Sequence, residues 1–193
     1  MKRKVLFLII PIIIFIVLFY VGYDYIKFEL QKDNYIFNSN RYTYILSPDN
    51  SEYSFKFNTK RYMFSSKDYI KNINEIISNK YDSKVILKKI TLQKNRVLLT
   101  ISIDTKWNYF SGKCLSINEY IKKDLAPLAV GFVGVDVTCS DDKGKVIPSS
   151  VIGYGNEKGK EYFDIELSRL DFESYSFINI RFSGLNVYTY NRK

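Results

Sequence analysis

Residues 84–106 read KVILKKITLQ, then KN, then RVLLTISIDTK. In the second run Val97, Leu99, Ile101 and Ile103 alternate with Leu98, Thr100, Ser102 and Asp104, the period-two pattern of a strand with one buried face. Two such runs separated by Lys94-Asn95 predict a β-hairpin, 84–93 against 96–106.

Downstream, strand-like runs at 130–139, 145–154, 161–167 and 175–190 are punctuated by turn residues at 141–144 and 156–159. Upstream, the aromatic-rich runs 35–46 and 53–64 flank Ser47-Pro48-Asp49-Asn50, which predicts a second hairpin. Two helices are expected between these strands. Ser65 and Asp68 resemble a capping box ahead of Tyr69, Ile70, Ile73, Ile76 and Ile77, and Ser116 and Glu119 resemble another ahead of a segment ended by Pro127. The fold class expected is mainly β (α+β), an antiparallel β-sandwich or twisted sheet with about two short helices.

Ahead of this domain, residues 5–23 read VLFLIIPIIIFIVLFYVGY, 19 positions without a charge. As a helix rising about 1.5 Å per residue, that run covers roughly 30 Å, the hydrocarbon thickness of a bilayer. Lys2, Arg3 and Lys4 precede it and Asp24 follows it, so the positive-inside rule places the N-terminus in the cytoplasm and the domain outside. Tyr20, Tyr23 and Tyr25 stand where an interfacial aromatic belt belongs. A cleaved signal peptide would need a shorter apolar region and small residues at a cleavage site, and the stretch FYVGYDY provides no such pair. The division expected is 1–23 as basic tip and transmembrane signal anchor, 24–33 as a short helical stalk, and 34–193 as one extracytoplasmic domain.

Composition narrows the function classes. The chain has no His, which removes His-based acid–base chemistry and His metal ligation. Two Cys cannot assemble a thiolate zinc or iron–sulfur site alone. Without the three basic residues of the tip, 26 cations face 20 anions, scattered rather than clustered. Outside a membrane, that surplus suits anionic headgroups, an acidic envelope polymer or an acidic protein, and not nucleic acid. The absence of any N-x-[ST] site favours a bacterial envelope.

Cys114 and Cys139, in an oxidising compartment, are expected to form a disulfide, with two buried free thiols as the alternative. Ser140 and Lys143 match S-x-x-K by chance, because the motif falls in a turn and lacks its companions. Asp141, Asp142 and Gly144 lack calcium-loop spacing, and Asp164 with Glu166 reads as a solvated strand face. Trp107-Asn108-Tyr109-Phe110 follows the best-defined strand and precedes Ser111-Gly112, so Trp107, Tyr109 and Phe110 form a candidate contact loop.

No catalytic, cofactor or metal site is expected. The function expected is a non-catalytic interaction module on the cytoplasmic membrane, held by residues 5–23 and binding a protein or anionic envelope component outside. An immunity protein against a toxin, or a structural subunit of an envelope or secretion assembly, are the alternatives, with an enzyme last.

Overall fold

The computed structural model describes residues 2–62, 68–123, 126–132, 134–157 and 160–193. A long helix, α1 (Lys2–Leu30), is followed by the short α2 (Lys32–Asn38). Next come β1 (Tyr42–Pro48), β2 (Tyr53–Asn58) and a 3-10 turn at Thr59–Tyr62. The central strands are β3 (Tyr69–Lys80), β4 (Ser83–Leu92), β5 (Arg96–Thr105), β6 (Ser111–Ser116), β7 (Asn118–Lys123) and β8 (Ala126–Phe132). They are followed by β9 (Asp136–Ser140), β10 (Val146–Ile147), β11 (Ser149–Glu157), β12 (Lys160–Ser168), the helix α3 (Arg169–Ser174), β13 (Phe177–Ser183) and β14 (Asn186–Arg192).

The hairpin at 84–106 forms as β4–β5, with Leu92 opposite Val97 and the Gln93 N–H donating to the Arg96 carbonyl (2.8 Å) around Lys94-Asn95. Val97, Leu99, Ile101 and Ile103 are buried, as the alternation requires. In β4 a bulge between Leu87 and Lys89 lets Val85, Leu87, Ile90 and Leu92 all point inward despite the three-residue step. This pair sits inside a five-stranded sheet ordered β11-β12-β5-β4-β3. A four-stranded sheet, β10-β9-β13-β2, packs on it through Tyr53, Phe57, Cys139, Ile147, Ile178, Ile180 and Phe182. Phe182 makes the crossing visible, stacking on Tyr53 within its own sheet (5.3 Å) and meeting Phe163 of the other edge-on (5.4 Å). A third sheet, β1-β14-β6, and the hairpin β7-β8 complete an antiparallel β-sandwich with two short helices besides α1.

Those two helices lie elsewhere than expected. Residues 65–67 fall outside the described residues, and Tyr69 onward forms the edge strand β3. Tyr69, Ile73 and Ile77 reach the core while Ile70 and Ile76 are exposed, and two irregularities, at Asn72/Glu75 and Ile76/Ser78, interrupt the pairing with β4. A four-residue step keeps one face of a strand as well as one face of a helix, so the spacing suits both. The second expected helix is replaced by the end of β6 and the β7–β8 hairpin, with Pro127 inside β8. The Ser116 hydroxyl accepts the N–H of Asn118 (2.9 Å), two residues on, and so makes a bend rather than a helix cap.

The expected 35–46/53–64 hairpin is also replaced. Residues 35–38 belong to α2, β1 pairs with β14, and β2 pairs with β13 in a different sheet. The single late strand 175–190 divides into β13 and β14 at Gly184 (φ 90°), where a Cβ would meet the Gly134 carbonyl oxygen at 2.7 Å.

The expected disulfide is absent. Cys139, in the four-stranded sheet, enters the main core, whereas Cys114, in the three-stranded sheet, enters a second aromatic cluster beneath α1 and α2. The two thiols are free, buried and beyond bonding distance. Burial pushes both thiols up.

Candidate functional site

The junction between α1 and the three-stranded sheet gathers a buried ion-pair cluster and the second aromatic core. Residues Ile10–Leu30 of α1 are long and apolar enough to cross a membrane, and side chains from Ile10 to Val21 are exposed. Beyond them the helix becomes two-faced. Asp24 and Phe28, four residues apart and therefore on one face, are buried, whereas Tyr23, Ile26 and Leu30 remain exposed.

Asp24 is the centre of the junction, at 3% exposure. Its carboxylate pairs with Arg41 and accepts a hydrogen bond from Tyr35 on α2. It also accepts from Tyr109 Oη (2.6 Å) and from Arg192 Nη2 of β14 (2.5 Å). Two cations and two phenols from four segments thus compensate one buried anion. The Tyr35 phenol is pushed up to about 12 by burial and by its bond to that carboxylate.

Aromatic rings fill the space around this clasp. Phe28 meets Tyr109 and Tyr35 edge-on at 5.2 and 6.2 Å, and the Arg192 guanidinium lies 4.0 Å over the Tyr109 ring. On α2, Phe37 stacks on Tyr120 at 3.9 Å and meets Trp107 and Tyr188 edge-on. Tyr190 crosses the backbone of Gly112, where a Cβ would run into its ring, and its hydroxyl accepts the N–H of Asn108 (2.8 Å).

The candidate contact loop therefore divides in two. Trp107 and Tyr109 are half-buried within this junction, against Phe37 and Tyr190 and against Phe28 and Asp24 respectively. Phe110 is 72% exposed.

The remaining motifs sit apart from the junction. Ser140 is buried and Lys143 exposed, and the Asp141 carboxylate accepts the N–H groups of Lys143 and Lys145 (both 2.8 Å) to shape the turn. Asp164 accepts from Thr100 (2.5 Å), and Glu166 pairs with Arg96 (3.1 Å), across neighbouring strands. Among the described residues no three His, Cys, Asp or Glu side chains converge as metal ligands.

Two ionisable groups escaped the sequence reading because all their partners but Tyr53 are distant in the chain. Glu161 is buried and accepts from Ser116 Oγ (2.8 Å), the Ile117 N–H (2.7 Å) and Tyr120 Oη (2.9 Å). Burial pushes its carboxyl up against the pull of those donors. Asp49 is buried with Lys80 Nζ at 2.7 Å and Tyr53 Oη at 2.5 Å. Burial opposes its charge, but Lys80 and Tyr53 hold it below the usual carboxylate range.

No family model, curated protein or solved structure matches this chain. The contacts around Asp24 and Phe37 build a joint between an apolar helix and a β-sandwich.

Proposed function

We propose that the protein is a membrane-anchored extracytoplasmic interaction module without catalytic activity, which presents its β-sandwich to a protein or an anionic envelope component. The observation that carries this reading is the double membership of α1. Its exposed apolar length suits a bilayer, while Asp24 and Phe28 of the same helix are buried at the domain's edge. A helix used only as an export signal has no need of side chains built into the mature fold. The basic tip at Lys2, Arg3 and Lys4 supports an inside N-terminus. The chain's lack of His supports a binding rather than a catalytic role.

Intact spheroplasts treated with external protease test the orientation. A C-terminal tag is destroyed and alkaline extraction leaves the protein in the membrane fraction if the reading holds. A fully protected tag overturns it. Turnover of peptidoglycan, peptide or phosphoester substrates by the purified full chain, lost on substitution of one carboxylate or Ser, overturns the non-catalytic part.

A further inference from the structure

Three strand ends meet α1 at one end of the three-stranded sheet. β1 starts there, β14 stops there and β6 starts there, because Tyr42 pairs with Arg192 and Asn191 with Ser111. The residues just beyond are Arg41, Lys193 and Phe110. Main-chain bonds fix them, from the Lys193 N–H to the Arg41 carbonyl (2.8 Å) and from the Arg192 N–H to the Phe110 carbonyl (2.7 Å).

Side-chain contacts set the height of this end along α1. Arg41 Nη2 donates to Tyr20 Oη (2.9 Å), while Nη1 pairs with Asp24. Tyr109, next to Phe110, meets Tyr25 edge-on at 5.3 Å and donates to Asp24. Residues 20–25 rise only about 8 Å along a helix, so they take in the last turn of the uncharged run and the layer just outside it. The headgroup layer on one side of a bilayer is about 5–8 Å thick. The exposed aromatics Tyr20, Tyr23 and Tyr25 lie at that level on the helix, and Phe110 lies beside it on the sheet. Arg41, Arg192 and Lys193 outnumber Asp24 there, and Glu29, which bonds Tyr25, is itself paired with Lys32.

The geometry points to a second membrane contact, in which this end of the β-sandwich rests in the headgroup layer, Phe110 acting as an interfacial aromatic and Arg41, Arg192 and Lys193 giving positive charge to lipid phosphates. The inference rests on the reading of α1 as an uncleaved anchor. It assigns the exposed part of the 107–110 loop to lipid and leaves the rest of the sandwich free for a partner.

The test uses the full chain in vesicles of phosphatidylcholine and phosphatidylglycerol, labelled with a polarity-sensitive fluorophore at Phe110→Cys, Phe19→Cys or Leu170→Cys. Cys114 and Cys139 are buried, so labelling of the folded protein selects the new thiol. All three positions are exposed, so the substitutions spare the core. Leu170 follows Arg169, whose N–H bonds the Asn95 carbonyl at the far end of β5, which makes it the aqueous reference.

The expected result is a blue-shifted label at position 110 relative to 170, quenched several-fold more by lipids carrying a spin label in the headgroup. Stronger quenching with phosphatidylglycerol than with phosphatidylcholine alone is expected from the cations, and equal quenching overturns their role. A label at 110 as wet as that at 170, with 19 in hydrocarbon, overturns the contact while leaving the anchor intact. A wet label at 19 overturns the anchor reading itself.

Discussion

Asp24 on α1 and Arg192 at the end of β14 are bonded at 2.5 Å across 168 positions of sequence. With Arg41 on the other carboxylate oxygen, that bond makes a single anion the point at which the helix, the first strand and the last strand meet. Its removal would leave two neighbouring guanidinium groups without a counter-charge, which costs more than the pair itself contributes.

Asp24→Asn should therefore lower stability by about 2–4 kcal/mol. Thermal unfolding of the full chain in detergent, followed by near-ultraviolet dichroism from the packed tyrosines, measures the loss. An unchanged midpoint would show that the aromatic contacts alone seat the helix.

Native protein should expose no reactive thiol, and denatured, unreduced protein should label two. Mass spectrometry after alkylation counts them directly. A mass showing an intact Cys114–Cys139 bond would require β6 and β9 to sit elsewhere than in separate sheets.

Asp49 and Glu161 should imprint opposite signs on stability against pH. The Asp49 carboxyl is lowered on folding, so its stabilisation is complete above the unfolded value of about 3.9 and is lost as pH falls through the folded one. Asp49→Asn should flatten the acid limb of a denaturation series. The Glu161 carboxyl is raised, so stability declines as pH climbs from about 4.3 through its folded value. Glu161→Gln should remove that decline, with the Gln amide donating to the Ser116 and Tyr120 hydroxyls. Identical pH profiles for the variant and the parent would refute the assignment.

Phe182→Ala should cost about 3–5 kcal/mol, because the ring joins the two main sheets through Phe163 and Tyr53. Chemical denaturation of the full chain gives the value. A loss below about 1 kcal/mol would mean that the core collapses readily into the space.

The β4–β5 hairpin was legible because its alternation, its two-residue turn and its pairing are all local. The pairing of β1 with β14 was not, since Tyr44 finds Tyr190 only through the closed fold and nothing in residues 42–48 names the partner. β3 misled for a physical reason, as the four-residue steps from Tyr69 to Ile73 and Ile77 keep one face of a strand as well as of a helix. Ser116 misled because one hydroxyl can cap a helix or close a bend, and the tertiary partners of residues 118–123 decide between the two. Asp24 stood out in the sequence only as the first charge after the apolar run. Its partners lie 11, 17, 85 and 168 residues away, so the clasp was invisible until the fold was known.

The clasp also imposes an order on biosynthesis. Asp24 on α1 leaves the ribosome before the sandwich, whereas Arg192 on β14 follows every other element described. Helix and sandwich can complete the clasp only after β14 has been synthesised. A product truncated within β14 keeps the apolar helix and loses Arg192, one of the two cations on Asp24, together with the central strand of the three-stranded sheet. Such a product keeps Arg41 on Asp24 but uncovers the aromatic cluster that Tyr188 and Tyr190 of β14 fill.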